Sequence, residues 1–244
     1  MIAEARIEHR QHDHRTRMEW GLVGAELLAA ECAVVIVIDV LSFSTSVDIA
    51  VGRGAAVLPQ RHSDPDVIRA AEAAGAVPAG AREGRGPSLR PASLTTLEPG
   101  TRLGLPSPNG ATLCAAVAAG PAVLFAGSLR NASAVAAAAL DASAGGPIGI
   151  VPAGERWPDG TLRPAIEDVL GAGAIAAGLP DRSIEAELAV AQFEVARQRE
   201  LADVLAGASS GRELIADGYA ADVRLAAQLD TSDAAPRLRD GFLC

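Results

Sequence analysis

The chain has 244 residues, 49% of them apolar and 21% charged, a globular composition that excludes a fibre or a disordered tail and is long enough to bury a core with no disulfide or structural metal. Thirty acidic against 21 basic residues leave a net charge of −9, so no broad phosphate-binding face for nucleic acid is expected. Every cation is arginine, and without lysine the chain excludes Schiff-base, pyridoxal and Walker-A chemistry and the usual haloacid-dehalogenase phosphatase.

Met1 to Trp20 is studded with Glu, Arg, His and Asp and lacks an apolar run, so a secretory leader is not expected and the cytoplasm is the expected location. Cys32, Cys114 and Cys244 are odd in number and form no C-x-x-C pair, which fits free thiols in a reducing compartment. Ala33 to Asp39 is a β-branched run apolar on both faces, the pattern of a central strand covered by helices on both sides. Ser42 or Ser44 can cap a helix through about Val51, Ala55 to Pro59 reads as a strand, and Asp64-Pro65 opens a helix that runs to Gly75. A Gly, Pro and Arg-rich loop from Gly80 to Pro91 precedes the strand RLGLP, the turn Asn109-Gly110 and a helix from Ala111 to Ala119. Ala122 to Ala126 is the next strand, Asn131 or Ser133 caps a helix to Ala142, and PIGIVPA from Pro147 is a strand again. Pro164 starts another helix, Glu185 to Ala206 reads as one long amphipathic helix, and shorter helices fill Arg212 to Leu229. The uncharged stretch from Leu103 to Leu129 is broken by Pro106, Pro108 and Gly120-Pro121, which makes it strand, helix and strand and not a membrane span. This alternation predicts a single α/β domain over 1–244, a three-layer parallel or mixed sheet with helices on both faces.

Several motifs have plainer readings. Gly207-Ala-Ser-Ser-Gly211 spells G-x-S-x-G, but a helix and not a strand precedes it, so it is the loop that ends that helix. Gly171-Ala-Gly173-Ala-Ile-Ala176 continues the helix begun at Pro164 and reads as small residues for close packing. Asn131-Ala-Ser133 is a glycosylation sequon, without meaning in the absence of secretion. His9, His12 and His14 could bind a metal but sit in a charged segment better explained as solvated.

Chemistry is expected at the carboxyl ends of the strands, where an open α/β sheet binds its ligand. Asp39, Ser107-Pro-Asn109-Gly110, Gly127-Ser128-Leu-Arg130-Asn131 and Gly154-Glu155-Arg156 all fall there. Two of these loops lead into helices whose free N–H groups favour an anion. Asp39, Glu155, Glu167 and Asp168 supply the oxygen ligands that Mg²⁺ prefers. Each has a structural alternative, since Asp39 can cap the following helix and Glu167 and Asp168 complement a helix dipole; their conjunction favours a site.

VIVIDVLSFSTS, SPNGAT, GSLRNA and above all VPAGERWPDGTLRPAIEDVLGAGAI resemble the 2-phosphosulfolactate phosphatase family, from about Val34 to Ile175, with a weaker echo in SSGRELIADGYAADV. The resemblance implies an α/β, Mg²⁺-dependent enzyme that removes phosphate from 2-phospho-3-sulfolactate. Ser42 stands where the family has an arginine, Ser107-Pro-Asn109-Gly110-Ala111 replaces T-T-N-G-T, and Ala81-Arg82-Glu83 and Pro91-Ala-Ser93 follow its G-E-R and G-N-S-P only loosely. The expected activity is Mg²⁺-dependent hydrolysis of a small anionic phosphorylated acid. Asp39, Glu155 and Asp168 are expected at the metal or the attacking water and Glu167 as a further ligand. Asn109, Gly110, Ser128 and Asn131 are expected at the phosphate, and Arg156 and Arg163 at a second anionic group. The alternative is a non-catalytic anion-binding paralogue that keeps fold and pocket. Neither a nucleic acid nor a membrane is an expected partner, and association into a homo-oligomer is left open.

Overall fold

The computed structural model describes residues 6–62 and 64–244. In chain order it begins with β1 (Thr16–Met18), α1 (Gly21–Glu31), β2 (Val34–Ile38), α2 (Phe43–Gly52), β3 (Ala56–Arg61) and α3 (Val67–Ala73). It continues with β4 (Val77–Pro78), α4 (Pro91–Leu94), β5 (Arg102–Ser107), α5 (Gly110–Ala118), β6 (Val123–Gly127), α6 (Ala132–Ser143) and β7 (Ile148–Pro152). The hairpin β8 (Glu155–Arg156) and β9 (Leu162–Arg163) precedes α7 (Ile166–Ala176), α8 (Ile184–Ala196), α9 (Leu201–Gly207), α10 (Ser209–Ala216) and α11 (Ala220–Ala226). A second hairpin, β10 (Leu238–Arg239) and β11 (Phe242–Leu243), comes last.

A parallel sheet in the order β1-β7-β2-β6 forms the centre. The inner strand β2 is buried along its whole length because both faces are covered: Val34, Ile36 and Ile38 share a core with residues of α6, α7 and α8, while Val35 and Val37 share another with residues of α1, α2 and α5. A mixed sheet, β10-β11-β3-β5-β4, lies beyond that second helical layer, with Val57, Leu103 and Leu105 in the same core. One bridge, Phe125 opposite Arg237, ties the two sheets at an edge. The result is the α/β arrangement expected, divided into two sheets that share a helical layer.

The expected strands and helices lie where the sequence places them, within a few residues, with two corrections. Gly207 to Gly211 is not a loop, since Ala208 alone separates α9 from α10 and Ser209, Ser210 and Gly211 form the first turn of α10. The single helix expected from Glu185 to Ala206 is two, separated at 197–200. No Pro or Gly breaks it. The chain turns there so that Leu201 and Leu205 can join the core that Ala189 and Phe193 already enter from α8, so tertiary burial overrides helical continuity. The close-packing reading of Gly173 holds, since a Cβ there would strike the Ala189 carbonyl of α8. The stretch from Leu103 to Leu129 is indeed strand, helix and strand, and among the described residues no helix is long and apolar enough to cross a membrane.

Candidate active site

The carboxyl ends of β2, β5 and β7 open on a cavity of about 430 Å³. Its lining includes Asp39, Ser42, Ser107, Asn109 and Glu155, together with Arg82 from the 80–91 loop and His62 past the end of β3. Placing the site there follows from topology, because each strand ends beside the start of a helix on the same side of the sheet.

Asp39 anchors two helices at once. Its Oδ1 accepts the Phe43 amide at 3.2 Å, at the start of α2, and its Oδ2 accepts the Gly110 amide at 2.8 Å, at the start of α5, with the Ser107 hydroxyl at 3.3 Å. The capping reading is therefore correct for Asp39, and the residue still faces the cavity. Ser42 occupies the position before α2 without capping it, and Ser44 instead accepts the Asp39 amide at 3.1 Å. Gly110 has to be glycine, since a Cβ would come within 2.8 Å of Asp39 Oδ2 and closer still to the Phe43 ring.

Asp168, in the first turn of α7, reaches across the sheet: Oδ1 accepts the Val40 amide and Oδ2 the Gly154 amide, each at 2.8 Å. Val40 directly follows Asp39, and Gly154 directly precedes Glu155. One buried carboxylate thus braces the backbone beside both cavity acids. Glu155 starts the small hairpin, where it pairs with Arg163, and its Oε2 accepts the Asn109 amide nitrogen at 2.8 Å.

These acids feel one another. Burial, then the charge of Asp39, pushes Glu155 up to about 7, against the hydrogen bond from Asn109. Burial also raises Asp39 and Glu167, and it raises Asp168 well above the carboxylate range with help from the charges of Asp39 and Glu167. Asp39, Glu167 and Asp168 are only 5%, 2% and 3% exposed, so solvent does little to relieve the repulsion.

Asp39, Glu155 and Asn109 thus line the cavity, and Gly110, Glu167 and Asp168 stand directly behind them. The remaining predicted residues stand apart. Ser128 and Asn131 are fully buried, with Asn131 Oδ1 accepting both the amide and the hydroxyl of Ser128 and its Nδ2 donating to the Ala234 carbonyl; they tie a loop and do not line the cavity. Arg156 is exposed and donates to the Gly160 carbonyl. Arg163 donates to the Ser210 hydroxyl at 3.2 Å, and both Ser210 and the Arg163 charge act to lower the Glu167 pKa, so this arginine lies against the acids from the protein side and not in the cavity.

Arg82, Ser42, Ser210, His62 and Glu83 are polar groups of this region to which the sequence motifs give no role. The only signal for Arg82 is the arginine richness of its loop, and for Ser210 its place in the SSGREL segment.

Among the described residues no three His, Cys, Asp or Glu side chains form a ready-made metal cage. The donor chemistry still fits Mg²⁺, which ordinarily takes one or two carboxylates and fills its shell with water and substrate phosphate oxygens. Asp39 and Glu155 can supply those carboxylates, because Asp39 Oδ1 and Glu155 Oε2 accept one hydrogen bond each and keep a lone pair, although Asp39 Oδ2 already accepts two.

No curated protein matches the chain. The family model described as 2-phosphosulpholactate phosphatase matches residues 25–241, a span that contains every acid of the cluster. Its name is that of a phosphatase, and the chain belongs to the 2-phosphosulpholactate phosphatase family.

Proposed function

We propose that the protein is a Mg²⁺-dependent phosphatase acting on 2-phosphosulfolactate or a closely related small phosphorylated acid. The observation that carries this reading is the pairing of Asp39 and Glu155 at one cavity, both held in place by Asp168 through the neighbouring backbone amides. Family membership supplies the reaction class.

Asp39 and Glu155 would hold the ion. Bound Mg²⁺ would polarise the phosphoryl oxygens and offset charge that builds up in an in-line displacement. The chain's own groups do the rest. Glu155 orients the attacking water through whichever oxygen the Asn109 bond leaves open and takes its proton as the new P–O bond forms. Beyond the Gly110 amide, which Asp39 takes, the next first-turn N–H groups of α5 would be the donors for phosphate oxygens. The ester P–O bond breaks with its electron pair on the leaving oxygen, and the proton that Glu155 took from the water passes to that oxygen, directly or through solvent, to give the free hydroxy acid. Asp168 and Glu167 take no part in bond changes; they fix and charge the wall behind the cavity.

A screen of phosphorylated carboxylic and sulfonic acids for released phosphate, with Mg²⁺ and with EDTA, tests the proposal. Metal-dependent release that Asp39→Ala abolishes is the expected result. Tight binding of the same compounds in Mg²⁺ with no release would instead make the chain an anion-binding relative.

A further inference from the structure

The guanidinium of Arg82 is a cationic feature of the cavity that neither the metal nor the phosphate chemistry uses. Arg82 lines the cavity from the loop between β4 and α4. Its Nη2 lies 3.5 Å from the Ser42 hydroxyl, while its Nη1 is buried and has no hydrogen-bond partner. A buried guanidinium N–H without an acceptor is costly, and in a cavity the acceptor it awaits is a ligand.

The side chain is held where it is. Its guanidinium stands 5.9 Å from the centre of the Tyr219 ring, and the Arg82 carbonyl accepts Arg90 Nη1 at 3.2 Å. Arg90 stands 4.9 Å from the centre of the same ring and 3.5 Å from Asp222 Oδ2, and Asp222 Oδ1 accepts the Ala92 amide at 2.7 Å. Helix α11 and the residue before it thus clamp the loop through Tyr219 and Asp222. A long, flexible side chain fixed in this way loses little freedom on binding.

We propose that Arg82, with the Ser42 hydroxyl beside it, forms a second anion subsite that takes the carboxylate or sulfonate of a phosphorylated acid and selects against phosphate esters with no second acidic group. The subsite rests on the phosphatase reading for its role in turnover but not for its ability to bind. A planar guanidinium presents parallel N–H groups that match two oxygens of a carboxylate or sulfonate, whereas the phosphate is drawn to the side where Asp39 and Glu155 hold the metal. This arrangement gives the role first assigned to Arg156 and Arg163 to an arginine that lines the cavity.

Calorimetric titration with sulfoacetate and, separately, with inorganic phosphate, both in excess Mg²⁺, tests the subsite without turnover. Wild type should bind sulfoacetate. Arg82→Gln should weaken it by tenfold or more, about 1.4 kcal/mol, and leave phosphate affinity within about twofold. Arg82→Lys, which keeps the charge and loses the fork, should fall between, and it decides the matter if Arg82→Gln does not melt as a folded protein. Failure of the wild type to bind sulfoacetate, no effect of either substitution, or equal losses for both ligands would overturn the proposal.

A kinetic arm separates the two readings. Arg82→Gln should raise KM for 2-phosphosulfolactate and leave glycerol 2-phosphate, which has no second anion, unchanged. Wild type that releases phosphate from neither compound would sink the phosphatase reading while the sulfoacetate titration still decides the fate of the subsite.

Discussion

Gly110→Ala replaces a hydrogen with a methyl group at the point where the site is tightest. The new Cβ would lie 2.8 Å from Asp39 Oδ2, 2.8 Å from Phe43 Cγ and nearer still to Phe43 Cδ1, all inside the separation that real Cβ atoms keep. Neither neighbour can yield freely, because Phe43 is fully buried in the core and Asp39 is held by the Phe43 amide, the Ser107 hydroxyl and the very amide of residue 110. Overpacking of this kind costs about 1–3 kcal/mol. Against it stands the better helix propensity of alanine, worth up to about 1 kcal/mol in a helix interior and less at the first helical residue. Strain wins, and a net loss of about 1–2 kcal/mol lowers the melting temperature of a chain this size by roughly 2–8 °C. Activity should fall further than stability, since moving the Asp39 carboxylate by about 1 Å can cost on the order of a hundredfold in rate. Gly207→Ala is the control, as a Cβ there meets nothing within 4 Å, and it should leave both properties nearly unchanged. Thermal melts and phosphate release on the two variants decide the matter. A Gly110→Ala protein as stable and as active as wild type would refute the claim that Asp39 is fixed between two helix starts.

Without metal, stability should rise as the pH falls from about 7 to about 5, because Glu155, Asp39, Glu167 and Asp168 all bind protons more readily when folded than when unfolded. For Glu155 the contribution is full below its usual 4.5 and is lost as pH rises through about 7, up to roughly 3 kcal/mol. Urea midpoints in EDTA across that range measure it, and a flat or opposite trend counts against the cluster. Gly173→Ala should be more damaging than Gly110→Ala, about 3 kcal/mol or more, because the obstacle is the Ala189 backbone and the pair α7 and α8 must part; chemical denaturation reads it directly. Arg130→Leu leaves the fully buried Asp48 without the guanidinium that stands 2.7 Å away, and should cost about 3–5 kcal/mol, much of it recovered in the double variant Arg130→Leu/Asp48→Leu.

The central strands were legible in the sequence because burial on both faces leaves no polar alternation: Val34 to Ile38 can hardly be read otherwise. The strand-end acids were legible for the same topological reason. What stayed hidden was set by contacts distant in sequence. Helix α1 lacks a side-chain cap and begins at Gly21 with a positive φ, and β1 is three residues long, so neither announces itself. Ser128 and Asn131 follow a strand end just as Asn109 does, yet their side chains satisfy each other and the C-terminal segment covers them. Arg82 carries only a weak local signal, the arginine richness of its loop, because its position depends on Tyr219, more than a hundred residues away. Residue type and spacing can nominate a site residue; only packing decides which way it faces.

Arg82 brings one positive charge to this cavity, yet the paired acids Asp39 and Glu155 stay at odds with a phosphate unless a divalent cation is part of the binding. Two unit charges about 4 Å apart repel by on the order of 4 kcal/mol at an effective dielectric near 20, and a phosphate beside Asp39 and Glu155 meets more than one such pair. The chain has already invested in holding these acids: Asp168 spends its whole carboxylate on the amides of Val40 and Gly154, and Asp39 accepts three hydrogen bonds. Such bonds favour the ionised form, but burial and mutual repulsion outweigh them and leave these acids raised, so without an ion part of the charge is relieved only by protons. A divalent ion reverses the sign of the interaction, so Mg²⁺ and substrate should each raise the other's affinity by one common factor, as linkage requires. Glu155→Gln should weaken the ion first and the substrate only through it, with substrate affinity restored when Mg²⁺ is raised to saturation. Titrations of inorganic phosphate at several fixed Mg²⁺ concentrations measure the factor from one side, and titrations of Mg²⁺ at fixed phosphate measure it from the other. Phosphate affinity that is the same in EDTA and in excess Mg²⁺ would mean that these carboxylates organise backbone and no ion.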